Sequence, residues 1–311
     1  MPPANAALIA ELEDIESAGG DGEVRVGRTR LRVTSLDRCY FPEAGVTKGE
    51  LLRYYAGVAP VLLPLLRDRP LVLQRYPEGV GGTSFYQQRA PDHPPTGVRV
   101  EEIRTTEGEP APRVVGGALI TVLWLAQLGV IAMHPWLARV RRPDALDFAV
   151  LDLDPGDGVP FARVQEVALL VRDALAERRL GGAIKTSGSR GLHVFVPLRA
   201  GTSEAAAREL AQAIAERVAT QHPRVATVER GVKARPAGTV YVDYLQNAVG
   251  KSVACAYSVR PRPRATVSAP LRWDELERAL DPGDFTVRTM PARLAELGDV
   301  WGDELRGAGR R

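Results

Sequence analysis

Two carboxylates follow an apolar run in the segment FAVLDLDPGD, residues 148–157. Side chains two residues apart on a strand lie on one face, so we expect Asp152 and Asp154 side by side. Two such charges about 4 Å apart repel by roughly 4 kcal/mol at an effective dielectric of about 20. A divalent cation or a raised pKa relieves that repulsion, and hard oxygen ligands favour Mg²⁺ or Mn²⁺. A plain turn remains the alternative, because the same DPGD recurs at residues 281–284 without a preceding strand pattern.

A second segment, KTSGSRGLHVFV at residues 185–196, has the composition of an anion-binding loop. Its glycines free backbone N–H groups to line a concave site. Ser187 and Ser189 add hydroxyl donors, and Arg190 adds a bidentate phosphate ligand. His193 begins the following strand and can reach the same site. A hairpin turn with a structural histidine is the alternative; a serine-hydrolase elbow needs G-x-S-x-G, and a serine stands where its first glycine belongs.

A third segment, TVYVDYLQN at residues 239–247, is an apolar strand pattern that ends in one carboxylate, Asp243. Alone, this is typical of a strand leaving the core. Together with Asp152 and Asp154 it supplies a third ligand, so that two metal ions can bridge the attacking and leaving oxygens of a phosphoryl displacement. No Walker A pattern offers another phosphate site.

Weaker signals lie elsewhere. His134 is one of four histidines, and a lone histidine is more often structural than catalytic. The adjacent aromatics Phe85 and Tyr86 are either core and edge residues or a base-stacking platform. A net charge of +3 and a pI near 9.0 lean mildly toward polyanionic partners, as do two arginine clusters, at residues 139–142 and 260–264.

Composition narrows the class of protein. The chain has 311 residues, of which 45% are hydrophobic and 25% charged, enough apolar material for a globular core. Cys39 and Cys255 are too few and too far apart for a disulfide framework, and we expect both to be buried or half-buried. No apolar run is long enough for a membrane span and no signal peptide is visible. We therefore expect a cytoplasmic protein without a membrane partner.

Strand and helix patterns alternate, which favours an α/β or α+β architecture. Residues 1–22 read as a loosely attached tail that contains a short acidic helix at 4–16, and residues 23–311 as one domain. Residues 77–115 are rich in Pro, Gly and charge and read as mostly loop. The TKGE segment at residues 47–50 fits a capping box, so we expect a helix from there to about residue 66. Further helices are predicted over 118–130, 161–179, 203–220 and within 270–306. A hairpin is predicted over 24–33, and strands over 71–76, 148–153, 183–186, 192–197 and 239–244.

Taken together, D-x-D, S-G-S-R-G-L-H and V-D-Y-L-Q-N resemble the archaeo-eukaryotic primase superfamily, and most closely the polymerase domain of bacterial ligase D, the non-homologous end-joining enzyme. The similarity runs from about residue 34 to residue 301. It implies an α+β primase-like fold, with mixed and antiparallel sheets flanked by helices and the active site in a cleft between them.

The resemblance also implies roles for individual residues. Asp152, Asp154 and Asp243 would bind two Mn²⁺ or Mg²⁺ ions and form the catalytic centre. The residues matching the family's nucleotide-binding positions are His134, Arg75, Ser187, Ser189, Arg190, His193, Gln246 and Arg260. Those matching its DNA-binding positions are Arg38 and Lys48, which would hold a 5′-phosphate, and Phe85 and Tyr86, which would pack on template bases.

The activity implied is template-directed extension of primer ends or gap filling in double-strand break repair, using NTP or dNTP substrates with a preference for ribonucleotides. The implied partners are DNA with gaps, overhangs or 5′-phosphorylated ends, a Ku-like end-binding protein and a separate DNA ligase, in a nucleoid-associated setting. A non-catalytic nucleic-acid-binding module of the same fold and a metal-dependent phosphodiesterase stay open as alternatives.

The chain departs from the family pattern at a few positions. Arg38 and Arg75 replace lysines that are often found there, and Gln88 stands where a lysine is frequent. The spacing between Arg235 and Asp243 also differs, which leaves the role of Arg235 open.

Overall fold

A computed structural model describes residues 5–105 and 108–308, so the ends of the predicted tail and domain, residues 1–4 and 309–311, lie outside it. In the described part the helices are α1 (Ala6–Ser17), α2 (Lys48–Leu66), α3 (Leu119–Gln127), α4 (Phe161–Glu177), α5 (Glu204–Gln221), α6 (Met290–Leu297) and α7 (Val300–Ala308), with short 3₁₀ turns at Val232–Ala234, Trp273–Glu277 and Pro282–Asp284.

The strands of the same part are β1 (Gly22–Val26), β2 (Thr29–Val33), β3 (Cys39–Phe41), β4 (Val46–Thr47), β5 (Leu71–Arg75), β6 (Phe85–Gln87), β7 (Arg99–Thr105), β8 (Gly108–Val115), β9 (His134–Pro135), β10 (Ala138–Arg139), β11 (Arg142–Leu146), β12 (Phe148–Pro155), β13 (Ala183–Thr186), β14 (Leu192–Pro197), β15 (Ala226–Thr227), β16 (Val240–Asp243) and β17 (Pro270–Leu271). The α+β fold expected from the sequence is confirmed.

A six-stranded sheet in the order β15-β16-β12-β14-β13-β17 forms the centre of the molecule. Its strands run antiparallel except for the parallel pair β15 and β16. Helices α4 and α5 both contact β12. Because side chains alternate along a strand, Leu151 and Leu153 lie on one face and are fully buried, while Asp152 and Asp154 share the other. The strand therefore separates an apolar face from a carboxylate face.

A side chain extends the hydrogen bonding of the sheet beyond the end of β16. The Asn247 side-chain amide accepts a hydrogen bond from the Val150 N–H at 2.7 Å and donates one to the Val150 carbonyl at 2.8 Å. Asn247 is fully buried, and it satisfies β12 backbone groups that the shorter neighbouring strand leaves unpaired. The last residue of the VDYLQN segment thus holds the first half of β12 in place.

Helix α2 begins with the capping box predicted from the sequence. The Thr47 hydroxyl accepts from the Glu50 N–H at 3.0 Å, and the Glu50 carboxylate accepts from the Thr47 N–H at 3.0 Å. The buried face of the helix includes Tyr54, whose hydroxyl donates to the carbonyl of Tyr257 at 2.8 Å. The helix thereby joins the N-terminal half of the chain to the segment that follows β16.

The expectation that residues 77–115 are mostly loop holds for residues 77–84 and 88–98 but misses the strands of the segment. These are β6, which pairs with β5, and the hairpin of β7 and β8. The buried run Arg113–Val115 of the hairpin includes a cation, so it does not follow the apolar alternation of a strand. Pro112 is accommodated in β8 because the outer edge of a two-stranded hairpin needs no backbone donor.

The expectation of a loosely attached N-terminal tail also fails for residues 5–22. Helix α1 lies against α2, and Leu12 is fully buried between them. The Glu16 carboxylate forms an ion pair with Arg53 and accepts a 2.6 Å hydrogen bond from the Thr47 hydroxyl. The glycine-rich break after α1 is a tight turn into β1, not a linker.

Two further expectations concern cysteines and membranes. Cys255 is buried as expected, but Cys39 is exposed. Across residues 5–105 and 108–308, no helix combines the length and the apolar character that crossing a bilayer requires.

Candidate active site

Four polar residues form a row across neighbouring strands of the central sheet. Asp243 on β16 faces Asp152 on β12, which faces His193 on β14, which faces Lys185 on β13. Directly paired residues of antiparallel strands point to the same face, with Cβ atoms about 4.5–5.5 Å apart. Strand pairing therefore brings together two carboxylates that are 91 positions apart in the numbering of the chain, 243 − 152.

Asp154 lies two residues along β12 on the same face. Burial, reinforced by the charges of Asp152 and Asp243, raises the pKa of Asp154 to about 6. Burial also opposes ionisation of Asp152, but His193, with Lys185 and Arg260, holds the pKa of Asp152 below its usual value. The ionised form of Asp152 is thus stabilised by neighbouring cations, whereas the ionised form of Asp154 is destabilised by burial and by the two neighbouring carboxylates.

The carboxylates differ in their hydrogen bonds. The Asp243 oxygens accept from the Leu245 N–H at 2.7 Å, the Gln246 amide at 3.1 Å and the Tyr241 hydroxyl at 3.3 Å. In contrast, Oδ1 of Asp152 is buried and, among residues 5–105 and 108–308, has no hydrogen-bond partner, although Nε2 of His193 lies 3.2 Å away. A buried, unsatisfied carboxylate oxygen next to a second carboxylate fits a divalent cation. In the described residues, however, no three His, Cys, Asp or Glu side chains are already grouped as a metal site.

The loop between β13 and β14 is organised by Ser187. Its hydroxyl oxygen accepts from the N–H groups of Ser189 and Gly191, both at 3.1 Å. Gly188 has φ +69°, and a Cβ there would lie 2.4 Å from Cγ of Arg260. A Cβ on Gly191 would lie 2.3 Å from the carbonyl oxygen of Leu153. Both glycines are therefore required by close approach, the first to an arginine and the second to the carboxylate strand.

Two arginines border this loop in different ways. Arg260 is partly buried; its guanidinium donates to the carbonyl of Ser187, and its Nε is buried without a partner. Burial lowers the pKa of Arg260. Arg190 is largely exposed, with only a 3.4 Å ion pair to the exposed Asp157. Arg260 is thus a fixed cation, whereas Arg190 can reorient toward an anion.

Lys185 is a site residue that the sequence analysis did not assign. It is fully buried, and its Nζ lies 2.7 Å from Nδ1 of His193 and 2.6 Å from the Ser268 hydroxyl. Burial, aided by the charge of Arg260, lowers the pKa of Lys185 to about 7. Burial also lowers the pKa of His134 to about 3, so this histidine is neutral near pH 7. The sequence signal for Lys185 was a single lysine inside an apolar strand pattern.

A cavity of about 560 Å³ lies over these groups. Nine of the predicted residues line it: His134, Asp152, Asp154, Ser187, Ser189, Arg190, His193, Gln246 and Arg260. Asp243 lies beside it, next to Asp152. Arg235 and Arg262 also line the wall, and Arg235 stacks on the Tyr241 ring at 4.0 Å. The cavity is large enough for a nucleotide, and both cations and carboxylates line it.

Arg75 is not among the residues that line the cavity. It donates to the Leu128 carbonyl at 2.9 Å and to the Gln87 side chain at 3.1 Å, and it lies over the Phe85 ring at 5.4 Å. Phe85 is 46% exposed and Tyr86 is 68% exposed, which excludes the core alternative for this pair. The structure therefore joins Arg75 to the aromatic pair instead of to the nucleotide cavity.

Arg38 and Lys48 form a separate basic cluster. Lys48 is buried and donates to the Thr34 carbonyl at 2.9 Å. Burial, together with the nearby charge of Arg38, lowers the pKa of Lys48 to about 8. Arg38 is exposed and reaches the Pro77 carbonyl at 3.3 Å. Burial and Arg38 disfavour the charge of Lys48 more than the carboxylate of Asp21 supports it, so the pair is suited to an anionic group.

The fold and the cavity together define an α+β domain of the kind that carries out phosphoryl transfer: carboxylates on a sheet share a cavity with a serine-glycine loop and with Arg190 and Arg260. Comparison with known proteins agrees with this class. Residues 47–301 match the model of the LigD primase-polymerase domain family.

Relatives extend the comparison. The chain is 34% identical over 287 residues to the multifunctional non-homologous end joining protein LigD of Pseudomonas aeruginosa, covering 91% of this chain and 34% of the relative. It is 33% identical over 281 residues to the bifunctional LigD of Bacillus subtilis, covering 89% of this chain and 44% of the relative. The chain thus spans about a third to less than half of the length of these relatives.

A solved structure, the polymerase domain from Mycobacterium tuberculosis ligase D in complex with DNA, superposes with a TM-score of 0.81 at 32% identity, covering 90% of this chain and 99% of that one. The chain belongs to the LigD primase-polymerase domain family, which places it among the DNA-directed nucleotidyltransferases. The resemblance noted from the three motifs is confirmed.

Proposed function

We propose that this protein extends primer ends and fills gaps at DNA double-strand breaks, in a metal-dependent reaction that prefers ribonucleotides. The observation that carries the proposal is the pairing of Asp152 with Asp243 across β12 and β16, directly beside a nucleotide-sized cavity. Family membership supports the polymerase chemistry, and the names of the relatives support its use in non-homologous end joining.

The cavity residues have distinct tasks in this reaction. The primer 3′-oxygen forms a bond to the α-phosphorus of a nucleoside triphosphate as the bond to the β-phosphate oxygen breaks, and pyrophosphate leaves. Arg190 and Arg260 stabilise the negative charge of the leaving group, and the Ser187 and Ser189 hydroxyls bind phosphate oxygens. His134, neutral near pH 7, donates a hydrogen bond to the triphosphate without adding charge.

Asp152, Asp154 and Asp243 are the residues that would hold two Mn²⁺ or Mg²⁺ ions. Bound divalent cations would supply a lowered pKa for the attacking hydroxyl and charge neutralisation at the phosphates. The partnerless Oδ1 of Asp152 and the raised pKa of Asp154 both support cation binding. Asp243 would have to exchange its contact with Gln246 for the metal, which leaves Gln246 able to bind the nucleotide.

DNA would lie across the remaining predicted residues. Phe85 and Tyr86 offer exposed rings on which template bases stack, with Arg75 supporting Phe85. Arg38 and Lys48 would hold a 5′-phosphate at a gap or break. A Ku-like end-binding protein and a separate ligase complete the proposed set of partners, in a cytoplasmic, nucleoid-associated setting.

The test is extension of a primer on a 5′-phosphorylated gapped duplex, with NTPs or dNTPs and with Mn²⁺ or Mg²⁺. Asp152→Ala should reduce extension by roughly 10³-fold or more, whereas Asp173→Ala on the exposed side of α4 should not change it. Full extension by Asp152→Ala would reject the metal assignment. Strand cleavage without nucleotides by the unmodified protein would favour a phosphodiesterase instead.

A further inference from the structure

A second cavity, of about 570 Å³, lies on the other side of the loop that follows β16, residues 244–252. Gln246 and Ser252 of this loop line the active-site cavity, and the intervening residues 248–251 line the second one. Likewise His134 faces the first cavity and Trp136 the second. The two cavities are therefore neighbours that share a wall made of β9 and this loop.

The second cavity is strongly basic. Its charged lining residues are Arg113, Arg208, Arg230, Lys251 and a single acid, Glu204. Glu204 is committed to other groups: it accepts from Arg208 at 2.6 Å and from the Val249 N–H at 2.8 Å. Within residues 5–105 and 108–308, the other three cations form no ion pair with a carboxylate. The cavity thus carries about three uncompensated positive charges.

Arg113 shows most clearly that a partner is missing. The residue is only 7% exposed, and its guanidinium is held by neutral groups, the Gln88 side chain at 2.6 Å and the Trp136 ring at 5.2 Å. Its Nε is buried and has no hydrogen-bond partner in the described part of the chain, and burial lowers the pKa of Arg113. A buried charge without a counter-charge is costly, so an anion in the cavity would offset the cost.

The rest of the wall suits a nucleoside. Trp136, Leu245 and Val249 contribute apolar surface, and Gly250, with φ +82°, lets the loop backbone run close to the Trp136 ring. The volume exceeds what one inorganic phosphate would fill and lies in the range of pockets for drug-sized ligands. The cavity therefore matches a phosphate with a sugar or base attached.

We propose that this cavity is a second nucleic-acid subsite, in which Arg113, Arg230 and Lys251 contact the phosphates of a polynucleotide strand that continues past the shared wall into the active site. Gln88 lines the cavity and directly follows β6, which carries the exposed aromatic pair. One polynucleotide strand can therefore contact both the cavity and the aromatic pair. The proposal rests on the polymerase function proposed above, because it assumes that a polynucleotide is the substrate.

The test measures binding without catalysis. Fluorescence anisotropy follows a labelled single-stranded DNA oligonucleotide with the full chain, in EDTA and without triphosphate, over a series of KCl concentrations. Arg230→Gln combined with Lys251→Gln alters two exposed side chains, and folding should therefore be retained. The affinity should fall roughly tenfold, and the slope of log K against log[salt] should lose about 1.4, since each single-strand phosphate contact contributes about 0.7.

The matched control combines Arg30→Gln with Arg199→Gln, which removes the same charge from exposed positions outside both cavities. An equal loss in this control would overturn the proposal, because it would reduce the effect to net charge. Displacement of the oligonucleotide by a nucleoside monophosphate as readily as by a dinucleotide would also overturn it, in favour of a mononucleotide site. The binding assay incorporates no nucleotide. A failure of the polymerase assay therefore does not change the binding result, and the two proposals can be told apart.

Discussion

Asp152 lies between Asp243 on one side and His193 on the other, and the chemistry of the site depends on this arrangement of single residues. His193, with Lys185 and Arg260, keeps the pKa of Asp152 low despite burial. Asp154 has a raised pKa because of its desolvation and because of the charges of Asp152 and Asp243. The pKa of each carboxylate therefore depends on the groups that surround it in the folded chain.

Lys185 is expected to position His193. A protonated lysine can only donate, so Nδ1 of His193 must accept and Nε2 carries the proton that faces Asp152. Lys185→Met keeps the volume but removes the donor. We expect single-turnover extension to slow by roughly tenfold while the free energy of unfolding in urea stays within about 1 kcal/mol or rises.

The exposed Lys233→Met serves as the control for this substitution, with an expected change in neither quantity. An unchanged extension rate in Lys185→Met would limit Lys185 to a packing role.

Asp154 should make stability depend on pH. Its folded pKa of about 6 lies above the unfolded value, so the stability that its protonation contributes is present at low pH and is lost as the pH rises through 6. Without divalent cations, Asp154→Asn should therefore be more stable than the unmodified protein above pH 7, by about 1 kcal/mol after allowance for solvent exposure, and equal to it at low pH.

Thermal unfolding in EDTA at several pH values measures this difference. Excess Mn²⁺ should reverse it, since cation binding stabilises only the protein that keeps its carboxylates. An advantage of Asp154→Asn that does not vary with pH would contradict the assignment of the repulsion to ionised Asp154.

At the scale of elements, the serine-glycine loop works because β13 and β14 deliver it against β12 and against the segment that carries Arg260. The Ser187 hydroxyl closes the loop from inside, and the Thr266 hydroxyl donates to the Gly188 carbonyl at 2.6 Å from outside. The conformation is thus determined by contacts with β12 and with residues 260–268, and it places Ser187, Ser189 and Arg190 at the wall of one cavity.

Gly188→Ala tests this packing. The new Cβ would combine a left-handed backbone with a contact of 2.4 Å to Arg260, so Arg260 must move away from Ser187. We expect a loss of stability of about 1–2 kcal/mol and a several-fold weaker affinity for nucleoside triphosphate. Gly201→Ala is the matched control, with φ +88° and no atom within 4 Å of its Cβ.

Equilibrium binding of a labelled triphosphate separates the two effects. Both variants should lose stability through backbone strain, but only Gly188→Ala should lose affinity. Equal affinities in the two variants would show that Arg260 does not depend on the loop for its position.

For the whole molecule, helix α1 is part of the same folding unit as the active site, because it covers α2 and α2 reaches the segment after β16. Leu12→Ala should therefore cost about 2–4 kcal/mol in urea unfolding, the usual cost of emptying a fully buried leucine position. Glu13→Ala, on the exposed face of the same helix, should change stability by less than about 0.5 kcal/mol. A negligible effect of Leu12→Ala would instead support the prediction that the N-terminal segment is loosely attached.

Local patterns were sufficient for most elements. The capping box located the start of α2, and the apolar runs located β12, β13, β14 and β16 to within two residues, because these signals arise from neighbours in the chain. The hairpin of β7 and β8 was missed because its buried run Arg113–Val115 includes a cation and does not alternate, so it leaves no periodic apolar pattern.

By itself, the sequence determined which side chains carry charge, where strands end in carboxylates and where glycine permits a tight loop. Only the tertiary structure decided that Asp243 faces Asp152, that Lys185 lies behind His193, that Arg75 supports Phe85 and that Arg113 is buried without a counter-ion. The physical reason is that charge interactions and desolvation act through space. A strand pairing that joins distant segments changes both, while the order of residues along each segment stays the same.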